Sequence, residues 1–320
     1  MALGEFDLIA KYFNRPVQRA ALGVGDDCAL LPAPAPGMQW AVSSDMLVEG
    51  RHFLPTVPPA RLGHKALAVN LSDLAACGAS PHAFLLALAL PRADEAFLEP
   101  FAAGLFALAD AHGIELVGGD TTAGPLNLCI TVIGEVPAGQ ALLRSGARAG
   151  DELWVSGLVG DARLALEVFR GTLALPGEAF DVVRRAMELP QPRVALGIAL
   201  RGLASSAIDL SDGLLGDLGH ILKRSGVGAT LHLDRLPRSA VLAALPAPVQ
   251  HECLLAGGDD YELLFTAPAA RHGEVLAAGR QAAVALSCVG RIEAAPGLRV
   301  VDADGRPVAA PYRQIDHFKS

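Results

Sequence analysis

Cysteine is scarce and unpatterned in this chain: Cys28, Cys77, Cys129, Cys253 and Cys288 are odd in number, widely spaced and include no C-x-x-C pair. That excludes a disulfide framework and a thiolate zinc site, and fits free thiols in a reducing cytoplasm. Positive charge is also short, with 26 Lys and Arg against 34 Asp and Glu and a net charge of -8. Without a basic stripe the chain lacks the footprint of a nucleic-acid or anionic-membrane binder, so a polyanionic substrate would need help from cations. No apolar run approaches the roughly 18 residues of a membrane helix. The opening MALGEFDLIAKYF has no basic segment leading into an apolar one, as a secretory signal requires. The expectation is a cytoplasmic protein with no nucleic-acid and no membrane partner. Several nucleotide and metal signatures are missing too: G-x-x-x-x-G-K-S/T, the kinase H-R-D and D-F-G, a complete G-x-G-x-x-G (GVGDDC ends in Cys28), the calcium loop and H-E-x-x-H.

What is present is apolar bulk. A chain of 320 residues, 52% hydrophobic with a mean hydropathy of +0.37, has material for two cores. Periodicity predicts β-α-β-α-β-β over the first part: a strand at Trp40–Ser43, a helix at Leu62–Gly78, a strand at Ala83–Leu90, a helix at Glu95–His112, and strands at Ile114–Val117 and Leu126–Val136. Small, polar and glycine residues from Pro137 to Asp151 interrupt the pattern, so the expected domains are residues 1–140 and 150–320. The second opens with ELWVSG as a strand and GDARLALEVF as a helix, then SAIDL as a strand and Gly213–Ser225 as a helix. GLVGDA, ahead of its first helix, reads as an anion-binding helix start or as a plain tight turn.

Acidic residues recur at the ends of these apolar segments: GVGDDCALL (Asp26, Asp27), AVSSDMLVEG (Asp45, Glu49), AVNLSDLAACGA (Asp73), ELVGGDTT (Asp120), AIDLSDGLLGDLGH (Asp209, Asp212, Asp217) and LLAGGDDYELLF (Asp259, Asp260, Glu262). Asp45 and Asp120 are expected at the C-terminal ends of strands, where α/β sheets build ligand sites. Asn70 and Asp73, three apart, share a helix face. Asp26 and Asp217 read equally well as turn or helix-surface residues, and His52 as a hydrogen-bonded loop histidine. LSD and GGD recur with one spacing, Asp73 to Asp120 and Asp212 to Asp259, both 47 residues; coincidence explains this as well as duplication does. Two carboxylates about 4 Å apart repel by roughly 4 kcal/mol at an effective dielectric of about 20, so converging aspartates are protonated, kept apart or bridged by cations. Oxygen-only donors select hard ions, and Mg²⁺ bound by one or two carboxylates plus substrate phosphates would let an acidic protein hold ATP.

GVGDDCALL, SSDMLVEGRHF, GHKALAVNLSDLAACGASP, GGDTT, RSGARAGDELWVSG, AIDLSDGLLGDLGH and GGDDYELLFT, in this order and spacing, closely resemble the bacterial thiamine-monophosphate kinases, nearly end to end to the closing YRQIDHF. The resemblance implies the superfamily of aminoimidazole-ribonucleotide synthetase and selenophosphate synthetase. Its fold is α/β, more fully an α+β two-domain, PurM-like architecture with an N-terminal mixed-sheet dimerisation domain and a C-terminal α/β domain closing the nucleotide and substrate cleft. It further implies ATP-dependent phosphorylation of thiamine monophosphate to thiamine diphosphate by a homodimer, with several Mg²⁺ ions that Mn²⁺ can replace. By motif, Asp27, Ser43, Ser44, Asp45, Asp73, Asp120, Asp209 and Asp212 would form the metal shell. Gly119, Asp120, Arg144 and Ser211 would contact ATP, and His52, Asp259 and Tyr312 the thiamine end. No residue is expected as general base or nucleophile. Two alternatives stand beside this reading: another ATP-dependent enzyme of the superfamily, and a non-catalytic Mg²⁺-nucleotide-binding module.

Overall fold

The computed structural model describes residues 4–308, and the chain divides into two compact units. One takes the chain up to Leu74 together with Ala79–Gly139; the other takes Ala75–Gly78 and the described chain from Gln140 onward.

The first unit opens with helix α1 (Glu5–Tyr12) and continues through β1 (Met38–Val48), α2 (Pro59–Cys77), β2 (Ser80–Leu90), α3 (Glu95–His112), β3 (Glu115–Ala123) and β4 (Asn127–Pro137). Its four strands lie in the order β1-β4-β2-β3, with β2 and β3 parallel and the other pairs antiparallel, a mixed sheet. Alternation along β2 and β4 buries Phe84, Leu86, Leu88, Leu128, Ile130 and Val132. Helix α3 begins where the Asp94 carboxylate accepts the Ala96 N–H and stops at Gly113 in the left-handed conformation. Helices α2 and α3 meet backbone to backbone: a Cβ on Gly63 would lie 2.1 Å from the Phe101 carbonyl oxygen, and one on Gly104 only 1.9 Å from that of Ala60. On the edge strand β1 the alternate residues Val42 and Met46 are 63% and 55% exposed.

Both helices expected here form. The first strand is longer than expected, running to Val48, so Asp45 lies within β1 opposite Ile130, and Asp120 lies within β3 opposite Ala87. Neither ends a strand. The polar run Ser43-Ser44-Asp45 reads as a strand terminator, but an edge strand with one open face accommodates it.

The second unit contains β5 (Asp151–Ser156), α4 (Asp161–Phe169), α5 (Gly177–Glu188), α6 (Val194–Ala199), β6 (Ser206–Asp209), α7 (Leu214–Ser225), β7 (Gly228–His232), α8 (Ala240–Ala243), α9 (Ala247–Ala256), β8 (Leu263–Pro268), α10 (His272–Gln281), β9 (Leu286–Glu293) and β10 (Gly297–Val301). The sheet order is β10-β7-β9-β5-β8-β6. Leu153, Val155, Ile208, Leu218, Ile221, Leu264 and Val289 belong to its core. Both β5 and β6 run antiparallel to β8. The loops leaving β5 and β6 and the loop entering β8 therefore meet at one end of the sheet. No described helix is long and apolar enough to cross a membrane, and all five cysteines are free.

Candidate functional site

In the first unit, Ser43 and Asp45 stand two residues apart on β1 and so share the face that looks at α2. The Ser43 hydroxyl donates to Asp73 Oδ2 at 2.5 Å, and the Asp45 backbone N–H donates to Asn70 Oδ1 at 3.1 Å. Asn70 is itself held by its own helix, donating from Nδ2 to the Ala66 carbonyl. The expected helix face of Asn70 and Asp73 is thus real and is spent on β1. Ser44 points the other way, its hydroxyl within 2.9 Å of Thr131 Oγ1 and donating to the Ile130 carbonyl. The strand register sets Asp120 in a row with Ala87, Cys129 and Met46, on the sheet face opposite Asp45. Gly119 fits there because its backbone, at φ 148°, leaves no room for a side chain: a Cβ would lie 1.8 Å from the Leu86 carbonyl oxygen. Asp27 is exposed in the glycine turn. His52 accepts the Val48 N–H at Nδ1, 3.0 Å away, which leaves Nε2 as the protonated nitrogen of the neutral ring.

Among the described residues no three His, Cys, Asp or Glu side chains form a group able to hold a metal ion. What the first unit offers is a two-carboxylate, one-hydroxyl set of hard oxygen donors in Ser43, Asp45 and Asp73. That set fits Mg²⁺, which needs few protein carboxylates when substrate phosphates and water complete its shell, and does not fit a metal wanting an all-protein cage.

In the second unit main-chain bonds tie the loop leaving β6 to the loop entering β8. The Asp259 N–H donates to the Ser211 carbonyl, Tyr261 N–H to the Leu210 carbonyl, and Leu210 N–H to the Glu262 carbonyl. Asp259 and Tyr261 have φ of 73° and 51°, a conformation that costs a non-glycine residue about 1–2 kcal/mol. Asp260, half-buried, accepts the Gly160 N–H at 2.9 Å. Burial pushes its carboxyl well above the usual range, and the neighbouring Glu262, Asp161 and Asp259 push the same way. Asp217 is a buried residue of α7, not a surface one. It accepts the N–H groups of Asp212 and Gly213, and burial together with the charge of Asp212 raises its pKa to about 7. It thereby shapes the turn carrying Ser211 and Asp212. Asp209, at the end of β6, is buried. Arg144 is exposed at the start of a loop fastened by Ser225, whose hydroxyl accepts the N–H groups of Gly146 and Ala147. Tyr312 lies outside the described residues.

Sequence reasoning missed Arg193, and it noted Glu262 only as one of the acidic residues at the ends of apolar segments, with no role. Glu262 is buried, accepts Ser156 Oγ at 2.5 Å and Arg193 Nε at 2.7 Å, and is also bonded by Arg193 Nη2. The only signal was a charged residue, Glu262, at the head of an apolar strand.

Residues 25–136 match the AIR synthase related protein N-terminal domain, and residues 148–303 the C-terminal domain of the same family. The chain is similar to thiamine-monophosphate kinase of Salmonella typhimurium, 47% identical over 326 residues and 99% of each chain. It is also similar to that of Haemophilus influenzae, 40% identical over 331 residues, 100% of this chain and 99% of the other. Among solved structures it resembles thiamine-monophosphate kinase from Stenotrophomonas maltophilia, with a TM-score of 0.85, 44% identity and coverage of 94% and 95%. It likewise resembles AaThiL complexed with AMPPCP and TMP, with a TM-score of 0.76, 29% identity and 90% of each chain covered.

Proposed function

The chain belongs to the AIR synthase related family and, within it, to the thiamine-monophosphate kinases, and from that membership we propose how its residues phosphorylate thiamine monophosphate to thiamine diphosphate with ATP. The observation that carries the reading is the seating of Ser43 and Asp45 against Asp73 and Asn70, an oxygen-rich set between sheet and helix.

The metals would be several Mg²⁺ ions, replaceable by Mn²⁺; the residues proposed to hold them are Asp27, Ser43, Ser44, Asp45, Asp73 and Asp120 in the first unit and Asp209 and Asp212 in the second. Ser43, Asp45 and Asp73 form one set, whereas Ser44 and Asp120 lie on the opposite face of the sheet and would serve a different ion. Bound Mg²⁺ supplies charge neutralisation between the γ-phosphate of ATP and the acceptor phosphate. Gly119, Asp120, Arg144 and Ser211 would contact the nucleotide, Ser211 with its hydroxyl and Arg144 with its positive charge. His52, Asp259 and Tyr312 hold the thiamine end, His52 as a donor from Nε2.

The acceptor is a phosphate monoester whose second pKa is about 6, so near neutrality its attacking oxygen is already largely ionised. It needs positioning more than a general base, and transfer is direct and in line. The protein works in the cytoplasm as a homodimer, with no nucleic-acid partner. The open face of the first sheet, exposing Val42 and Met46, supports the dimer as an apolar surface suited to a second copy.

Asp45→Asn keeps the size of the side chain and the backbone bond to Asn70 but removes a charged ligand. Turnover should fall by about a hundredfold or more, with an unchanged circular-dichroism spectrum, and parent activity should vanish in excess EDTA and return with Mg²⁺. An Asp45→Asn protein as active as the parent would remove the metal reading of this face.

A further inference from the structure

Glu262 is a buried carboxylate that accepts three side-chain hydrogen bonds, and nothing in the reaction as described above uses it. It is 5% exposed. One carboxylate receives a hydroxyl from the end of β5 (Ser156) and two guanidinium N–H groups from the residue preceding α6 (Arg193). Ser156 Oγ in turn accepts the Leu263 N–H at 2.8 Å, which closes a ring around the first residue of β8. Gly157 is glycine because the carboxylate occupies its side-chain space: a Cβ there would lie 1.9 Å from Glu262 Oε1. A buried charge with this many partners is far costlier to break than a surface pair.

The position of the clamp in the chain gives it a purpose. It sits one residue beyond Tyr261 and three beyond Asp259, the two non-glycine residues held at positive φ in this loop. Strained backbone of this kind persists only where the surroundings over-determine it. The flanking bonds, Asp259 N–H to Ser211 and Tyr261 N–H to Leu210, are main-chain contacts that hold the loop to its neighbour. The side-chain anchor that fixes where the loop ends is Glu262.

We propose that Glu262 is a positioning residue: gripped by Arg193 and Ser156, it holds the Asp259–Tyr261 backbone in its strained form and so aims the Asp259 carboxylate at the thiamine end of the substrate. This rests on the reading of Asp259 as a substrate contact. The Arg193 guanidinium is the second half of the device, because its planar fork makes the two-point grip that a lysine could not.

The test uses the full chain and steady-state kinetics on Asp259→Asn, Glu262→Gln, Arg193→Met and the Glu262→Gln/Arg193→Met double variant, each with its melting temperature. Asp259→Asn, Glu262→Gln and Arg193→Met should each raise KM for thiamine monophosphate by about tenfold to a hundredfold, the scale seen when a group orienting a binding residue is lost. KM for ATP should change less than KM for thiamine monophosphate, since the turn carrying Ser211 is also held by the Asp217 carboxylate, which accepts the Asp212 and Gly213 N–H groups. The double variant removes both buried charges, so it should regain melting temperature over the single variants while keeping the raised KM. Should Asp259→Asn leave that KM unchanged, the substrate reading of Asp259 fails and takes this proposal with it. Should Asp259→Asn raise it while Glu262→Gln and Arg193→Met do not, the clamp alone is overturned. Recovery of both stability and KM in the double variant would make the clamp purely structural and overturn it as well.

Discussion

At the scale of single residues, burial decides chemistry more than residue type does. Cys253 is buried and its thiol is pushed up to about 12, chiefly by burial, whereas Cys28 is exposed. The nucleophile is the thiolate, so iodoacetamide at pH 8 should label Cys28 in the native protein and leave Cys253 unmodified until denaturant is added. Peptide mapping by mass spectrometry checks this, and native labelling of Cys253 would contradict the packing of α9. Asp161, at the first turn of α4, is buried with Ser239 Oγ donating to it at 2.7 Å, and burial raises its pKa above the usual 3.8. As pH rises from that value towards the raised one, the unfolded chain releases the proton while the folded chain keeps it, so folding stability is lost across that window. Asp161→Asn keeps an acceptor for Ser239 and has no charge to bury. It should melt higher than the parent at pH 8, with the difference shrinking as pH falls towards 4. A difference independent of pH would show that the carboxylate is not desolvated. The carboxylates were partly legible: Asp45, Asp73, Asp120 and Asp212 stood out as acidic groups in apolar contexts. Glu262 was visible beside them but its role was not, because its partners lie 69 and 106 residues away in sequence, and Asp217 was left between turn and surface because its partners are backbone N–H groups.

At the scale of elements, the helices were readable and the first strand only in part, at Trp40–Ser43 within Met38–Val48. Helices α2 and α3 announce themselves by apolar periodicity, and α3 also by its Asp94 cap and Gly113 stop. β1 alternates polar and apolar residues on an edge, so its full length emerges only once β4 is seen to pair along it from Met38 to Val48. The strand order and the division of Asp45 and Asp120 between two faces of one sheet follow from long-range pairing that no local pattern reports. One glycine in each helix, Gly63 and Gly104, makes the α2–α3 crossing possible, which only the structure reveals. Gly104→Ala would drive a methyl to within 1.9 Å of the Ala60 carbonyl oxygen, and backbone cannot yield as a side-chain tip can. The variant should lose about 1–3 kcal/mol in urea unfolding despite the better helix propensity of alanine. A gain in stability would mean that the two helices are further apart than described.

At the scale of the whole molecule, an acidic chain handles two phosphate-bearing substrates. Its net charge of -8 works against binding both unless cations intervene, and the first unit presents hard oxygen donors in Ser43, Asp45 and Asp73 that suit Mg²⁺. The proposed direct transfer from ATP to thiamine monophosphate on bound Mg²⁺ answers that repulsion. The most direct test is to follow ADP release from ATP and Mg²⁺ with and without thiamine monophosphate, quantifying thiamine diphosphate in the same samples. The account predicts one thiamine diphosphate per ADP, no sustained ADP release without the acceptor, and none with the acceptor in excess EDTA. ADP release at the same rate without thiamine monophosphate, or full activity in EDTA, would contradict it.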